Sequence, residues 1–333
     1  MSRAPEAPLS PESFAWLAAF LKAESGLVLS EASHYLPAQR LSEIAREQGC
    51  AGLEALVARL RGGRHAALAS RVVEAMTTNE SSFFRDARPF AHFRETLARL
   101  GAARPPGVPL RIWSAACSTG QEAYSLAMLV AEAKAALAGR AVEILGTDLS
   151  RAALARARQG LYRRFEVERG LPPSLLARHF RKEGAGFRVS GALRAMVCWR
   201  RHNLLERLAP AGRFDVVFCR NVLLYFDPPT REGVLERIAA TLPADGLLYL
   251  GGAETLRGVS QRFEPLAGLR GVYAPVFCAS AQPPAVGAAA ARLRARPSPS
   301  PPAGAGAAAT GRGPARPGIG GGKAAAAAGS RST

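Results

Sequence analysis

No run of 18 or more uncharged apolar residues occurs in the 333-residue sequence, so no segment is expected to cross a bilayer as a helix. The opening stretch, MSRAPEAPLSPES, carries prolines and glutamates where a secretion signal would be apolar. The expectation is a cytoplasmic protein with no membrane insertion. Cysteine is scarce: Cys50, Cys117, Cys198, Cys219 and Cys278 stand far apart, form no CxxC pair and have no histidine cluster beside them. This spacing argues against a disulfide frame and a zinc site, and points to reduced, mostly buried thiols with no metal. Acidic residues are missing from residue 279 onward, where seven basic ones stand: Arg292, Arg294, Arg296, Arg312, Arg316, Lys323 and Arg331. The formal charge of +18 falls to +11 without them, spread along a long chain. Such a balance favours acidic partners without identifying one, and nucleic acid is not expected. Large apolar side chains are almost absent from residues 283–333. Residues 279–333 are therefore expected to be a disordered, basic, Ala/Gly/Pro-rich tail.

What is present is a chain with 48% hydrophobic residues, enough to build a sizeable core. Residues 10–75 read as a small helical domain. Ser10 can cap a helix that has Pro11 at its first position, with Leu9 placed to staple against Phe14, and Phe14, Leu17 and Leu21 share one face. Two further helices are expected around Leu41, Ile44 and Ala45 and around Leu53, Leu56, Val57 and Leu60. The segment RLRGGRHAALASR holds Arg59, Arg61, Arg64 and Arg71 and no acid, although charges balance at eight against eight over residues 1–76. This local patch is either solvated surface or a docking site. From about residue 108, PLRIWSAA, VEILGTD, FDVVFCRNVLL and GLLYLGG alternate with helical stretches. That rhythm predicts a parallel, doubly wound α/β sheet. Residues 165–202 interrupt it and read as a small β insertion.

Ligands of doubly wound sheets bind at the carboxyl ends of the strands. The first such end, Ala115-Ala116-Cys117-Ser118-Thr119-Gly120, allows close backbone approach but is not a GxGxxG dinucleotide loop. The second is Asp148, which suits ribose hydroxyls, or alternatively the N-cap of the following helix. The third carries Arg220, Asn221 and Tyr225. It is followed by Asp227-Pro228-Pro229-Thr230, which lacks the aromatic residue of a DPPY sequence and reads as a helix cap.

Three blocks together resemble one family. Met76-Thr77-Thr78-Asn79-Glu80-Ser81-Ser82-Phe83-Phe84-Arg85-Asp86, Trp113-Ser114-Ala115-Ala116-Cys117-Ser118-Thr119-Gly120-Gln121-Glu122-Ala123-Tyr124-Ser125 and Phe218-Cys219-Arg220-Asn221-Val222-Leu223-Leu224-Tyr225-Phe226-Asp227 are similar, in order and spacing, to the signatures of chemotaxis receptor methyltransferases of the CheR type. The resemblance covers roughly residues 10–278. It implies a Rossmann-like class I methyltransferase domain over residues 76–278, the 165–202 insertion within it, and a receptor-docking role for the N-terminal helical domain. It implies S-adenosylmethionine as cofactor, bound by Asn79, Ser81, Arg85, Glu122, Asp148, Asn203, Leu204, Arg220 and Asn221, with Arg85 and Tyr225 at the reaction centre. The implied substrates are glutamate side chains in cytoplasmic domains of methyl-accepting chemotaxis receptors, and the implied enzyme is a monomer. The chain departs from the family in having Gln121-Glu122-Ala123-Tyr124-Ser125 for the usual Glu-Glu-Pro-Tyr-Ser, and Gly251-Gly252-Ala253-Glu254 where Gly-His-Ser-Glu is common. Two other readings stand beside this one: a methyltransferase of the same fold acting on RNA or a small molecule, and a non-catalytic scaffold that binds the cofactor.

Overall fold

The computed structural model describes residues 8–63, 65–208 and 212–276. Arg64, Cys278 and the basic tail lie outside these. Four helices form the N-terminal domain: α1 (Pro11–Ser25), α2 (Leu36–Glu47), α3 (Leu53–Arg61) and α4 (Ala66–Met76). The α1 start is as its sequence dictates. The Ser10 hydroxyl accepts from the Ser13 amide, Pro11 takes the first position, and Leu9 and Phe14 are both buried in the domain core. Helix α4 lies within the stretch read as helical but was not singled out as an element. Its Leu68, Val72, Val73 and Met76 are buried in the same core. The arginine patch is largely satisfied from within: Arg59 donates to the Gln48 carbonyl, Arg61 pairs with Glu12 at 3.1 Å and lies over the Trp16 ring, and Arg71 pairs with Glu47.

Helix α5 (Arg88–Ala102), also unforeseen, leads into the main domain. There follow β1 (Leu110–Ala115), α6 (Gln121–Glu132), β2 (Val142–Asp148), α7 (Arg151–Gln159), β3 (Leu161–Arg163), α8 (Arg164–Glu168), α9 (Pro173–His179), β4 (Phe180–Glu183), β5 (Gly186–Val189), α10 (Gly191–Ala195) and β6 (Val197–Arg201). The chain ends its described part with β7 (Val216–Cys219), α11 (Pro228–Ala239), β8 (Leu247–Tyr249), β9 (Phe263–Pro265) and β10 (Val272–Pro275).

The main sheet has seven strands in the order β6-β2-β1-β7-β8-β10-β9. Its first five strands pair in parallel, as expected for a doubly wound sheet. The last two correct the expectation of a purely parallel sheet: β10 runs antiparallel to both β8 and β9. Alternate residues serve opposite faces, as the period of a strand requires. Val216 and Phe218 enter one core with Ile112, while Val217 and Cys219 enter the other with Trp113 and Ala115.

The insertion also differs from its expected bounds. Its sheet is β3-β5-β4, spanning residues 161–189, and the hairpin turn between paired Glu183 and Gly186 is only Gly184-Ala185. The stretch VCWRR, expected within the insertion, is instead β6, paired in parallel with β2 from Ile144–Val197 to Asp148–Arg201. Its short length and arginines concealed a main-sheet edge strand.

At the amino end of the sheet, Arg104 is buried between Asp215 and Asp245, with side chains 7%, 9% and 7% exposed. It donates to both Asp245 oxygens at 2.6 and 3.0 Å, while Asp215 also accepts the Arg111 amide at 2.6 Å. Removing one partner of a buried ionic group strands the others. Arg104→Met is expected to lower unfolding free energy by about 3 kcal/mol or more, measured by urea unfolding; a loss within measurement error would show that the two aspartates are not held by this pairing.

Candidate active site

The strand order reverses between β1 and β7, and the crevice outside their carboxyl ends is the ligand position in such sheets. Registers set Ala115 level with Thr147 on one side and with Cys219 on the other. Around these ends lies a cleft partly open to solvent. Asn79, Ser81, Arg85, Glu122, Asp148, Asn203, Leu204, Arg220, Asn221 and Tyr225 all line it.

The loop after β1 is tightly wound. Ala116 and Ser118 adopt φ of 57° and 52°, and Gly120 a φ of 97°, conformations that non-glycine residues rarely hold without support. A side chain at Gly120 would meet the Ala157 Cβ at 2.8 Å and the Trp199 ring at 2.9 Å, so glycine is required by space as well. The loop is tied to β2: the Cys117 amide donates to the Thr147 carbonyl at 2.8 Å, and the Ser118 amide donates to Asp148 Oδ2 at 2.7 Å. Asp148 Oδ1 accepts the Ser150 amide at 2.9 Å. Burial pushes the Asp148 carboxyl up, and these backbone donors oppose the shift. The helix-cap alternative for Asp148 does not hold, since Ser150 caps α7 by accepting from the Ala153 amide. Each Asp148 oxygen, having taken one of these amides, keeps acceptor capacity. Beside it the Ser118 hydroxyl is buried without a partner.

Glu122, in the first turn of α6, accepts from the Ser114 hydroxyl at 2.7 Å and from Arg220 at 3.2 Å. Burial raises its carboxyl, and the Arg220 charge counteracts that. The Arg220 side chain is 1% exposed. It also donates to Asp86 at 2.7 Å and to the Arg85 carbonyl at 2.8 Å, and its guanidinium lies 5.4 Å from the Phe90 ring centre. Its charge is thus engaged in joining three segments of the site.

The first block, residues 76–86, is held at several points. Phe83 is buried edge-on against Tyr162 and Phe180, at 5.0 and 5.5 Å between ring centres. The Phe84 amide donates to the Ser125 hydroxyl at 3.0 Å. Arg40 of α2 donates to the carbonyls of Met76 and Thr77. Half-buried Arg85 donates to the Glu80 carbonyl at 3.2 Å, and Asn79 donates to the Thr77 hydroxyl at 3.3 Å.

The N-terminal domain supplies a wall of the cleft through Ser25 and Leu27, which sequence reasoning missed. No local signal marks them; only the packing of two domains brings them there. Asn203 belongs to this junction: its amide donates to the Glu24 carbonyl at 2.7 Å, and its oxygen accepts the Leu205 amide at 3.1 Å. Neighbouring Leu204 lines the cleft. Tyr225 sits at the same junction, its carbonyl accepting the Val28 amide at 2.9 Å.

Glu254 was also missed as a site residue. It accepts four backbone N–H groups: Gly251 and Asn221 on Oε2, each at 2.7 Å, and Val222 and Leu223 on Oε1 at 3.0 and 2.8 Å. These bonds hold the sharp turn in which Asn221 has φ 57°. The retained acid of Gly251-Gly252-Ala253-Glu254 was the available signal. Glu254→Gln would turn an amide NH₂ toward backbone donors. The expected result is a stability loss of about 2 kcal/mol and a fall in methyl transfer larger than any change in cofactor affinity, read by thermal unfolding, calorimetry and turnover.

His202, another unforeseen lining residue, is buried with its ring edge-on to Trp113 at 6.0 Å. Burial, reinforced by the charges of Arg200 and Arg237, lowers its pKa to about 4. The unfolded chain, with an ordinary histidine near 6.5, binds this proton first. Stability is therefore complete above pH 6.5 and declines as pH falls toward about 4. Urea unfolding from pH 7 to 4 should show that decline reduced in His202→Gln; an unchanged pH dependence would assign it to other groups.

This arrangement, with a small-residue loop after β1, a buried acid ending β2 and an open switch-point cleft, is that of a Rossmann-like methyltransferase. Residues 79–272 match the model for the CheR methyltransferase SAM-binding domain, and residues 12–77 that for the CheR methyltransferase all-alpha domain. The chemotaxis protein methyltransferase Cher2 of Pseudomonas putida is 39% identical over 249 residues, 74% of this chain and 90% of that protein. Chemotaxis protein methyltransferase 1 of Pseudomonas aeruginosa is 40% identical over 252 residues, with the same coverage of 74% and 90%. The chemotaxis protein methyltransferase of Escherichia coli is 32% identical over 261 residues, 77% of this chain and 88% of that protein. The chain belongs to the CheR methyltransferase family. Its cofactor is S-adenosylmethionine and its activity is methyl transfer in chemotaxis.

Proposed function

We propose that this enzyme esterifies glutamate side chains in the cytoplasmic domains of methyl-accepting chemotaxis receptors, working as a cytoplasmic monomer. The observation that carries this reading is the joining, in one cleft, of a polar floor at Ser118 and Asp148 with Arg85 and Tyr225. The floor fits the cofactor: Asp148 keeps acceptor capacity for the two ribose hydroxyls, and the Ser118 hydroxyl is a buried group in want of a partner. Asn79, Ser81, Arg85, Glu122, Arg220 and Asn221, which also line the cleft, would complete its binding site, with Asn203 and Leu204 beside the base. Among the described residues, no helix is long and apolar enough to cross a membrane. Residues 10–75 are read as the substrate-docking domain and residues 76–278 as the catalytic one.

S-adenosylmethionine supplies a methyl group on a positively charged sulfur, already a good leaving group. A glutamate carboxylate, with a pKa of about 4.3, is ionised at neutral pH and needs no base. Its oxygen takes the methyl carbon as the carbon–sulfur bond breaks; the electron pair stays on sulfur and no proton moves. The protein's task is alignment and exclusion of water. Arg85 already gives one N–H to the Glu80 carbonyl, and it approaches the cleft half-exposed. It can orient the carboxylate through a single charged contact, which leaves the attacking oxygen nucleophilic. Tyr225, which also lines the cleft, offers a hydroxyl.

Transfer of labelled methyl to receptor cytoplasmic fragments and to RNA tests the reading. Base-labile label on protein is expected; label on RNA alone would overturn it. Asp148→Ala is expected to weaken cofactor binding by about 3 kcal/mol or more, from the loss of charge-assisted hydrogen bonds, with the fold retained; unchanged affinity in calorimetry would refute the ribose role. Arg85→Ala should leave cofactor affinity within a few-fold while turnover drops heavily. If only the Michaelis constant moves, Arg85 binds substrate without aligning it.

A further inference from the structure

Large hydrophobic side chains are exposed at five described positions: Val28, Tyr35, Val108, Phe165 and Leu224. Two of these flank one residue of the site. Leu224, 43% exposed, directly precedes Tyr225; Val28, 44% exposed, donates its amide to the Tyr225 carbonyl at 2.9 Å. In each segment the neighbouring side chain turns inward. Leu27 and Tyr225 line the cleft and Leu223 is buried, while Val28 and Leu224 face outward. These two exposed side chains, one from each domain and each next in the chain to a cleft-lining residue, make an apolar lip beside Tyr225. Nearby charges are already engaged: Lys22 pairs with Asp227 at 2.7 Å, and Arg231 donates to the carbonyls of Leu223 and Phe226, each at 2.8 Å.

A glutamate side chain spans only roughly 4–5 Å from backbone to carboxylate, a few bonds of about 1.5 Å each. A glutamate that reaches Tyr225 therefore brings its own backbone and neighbouring side chains onto this lip. A permanently seated second copy would instead block the mouth. The chemistry also favours a dry seal there. The reaction merges an anionic carboxylate with a cationic sulfur centre into neutral products, and water stabilises the separated charges.

We propose that Val28 and Leu224 are substrate-docking residues that receive apolar side chains of the receptor lying within a few residues of the methyl-accepting glutamate. This rests on the receptor reading above and makes the lip a determinant of which glutamates are esterified. The test is the double variant Val28→Ser and Leu224→Ser, assayed on a receptor cytoplasmic fragment, with Val108→Ser, equally exposed at the far end of β1, as control. The double variant is expected to raise KM about tenfold, the loss of roughly 1.4 kcal/mol of apolar contact. Cofactor affinity should stay within about twofold of wild type, because the polar contacts to the cofactor are untouched. The effect should persist at high salt, where charge-based docking fades. An unchanged KM, an equal rise in Val108→Ser, an effect abolished by salt, or lost cofactor affinity would each overturn the proposal. So would a wild-type dimer in sedimentation that the double variant dissociates, since a second copy would then be the occupant. If the wild type labels the fragment and KM does not respond, only the lip is refuted. If the wild type leaves the fragment unlabelled, the receptor reading falls and takes the lip with it.

Discussion

The site depends on one buried cation. Arg220 emerges at the end of β7 with almost no solvent contact, and a charge so placed is tolerable only when paired. Glu122 of α6 and Asp86 of the first block provide the compensation. Because those carboxylates come from segments far apart in the chain, the pairing determines how the linker after α4, the start of α6 and the end of β7 meet. Arg85 enters the cleft from the linker residue whose carbonyl Arg220 also holds. The Arg220 guanidinium, itself on the cleft, joins the segments that carry Arg85, Glu122 and Asn221 there.

The N-terminal domain is part of the site as well as a neighbour of it. The chain leaves α1 through Gly26, whose φ is 78° and where a side chain would meet Thr230 at 2.9 Å and Phe226 at 3.1 Å. That close approach lets Glu24 receive the Asn203 amide and lets Val28 bond to Tyr225. The helical domain and the cleft are thereby mechanically continuous. The small sheet is tied in similarly, through Phe83 packed on Tyr162 and Phe180.

The departure at Gly252 and Ala253 has a limited structural consequence. The acid that follows, Glu254, gathers four amides and shapes the turn bearing Asn221 and Tyr225. A carboxylate can do this because its two oxygens are acceptors only. Their organising work is independent of the side chains at the two preceding positions.

The sequence by itself determined the elements whose cause is local. Ser10 and Pro11 start α1, apolar runs make β1, β2 and β7, and small residues shape the loop that ends at Gly120. The three motif blocks carry seven of the ten proposed site residues, and all ten, with Asp148, Asn203 and Leu204, line the cleft. Tertiary structure alone decided what depends on distant partners. It assigned VCWRR to the main sheet, because pairing with β2 outweighs the irregular look of its neighbours. It gave the cap of α7 to Ser150 and left Asp148 to the cleft. It engaged Arg220 with Asp86 and Glu122, and turned Asn203 toward Glu24. Ser25, Leu27 and His202 carry no pattern of their own. They become part of the site only when two domains and two strand-end loops close around the same space, and no local periodicity encodes that closure.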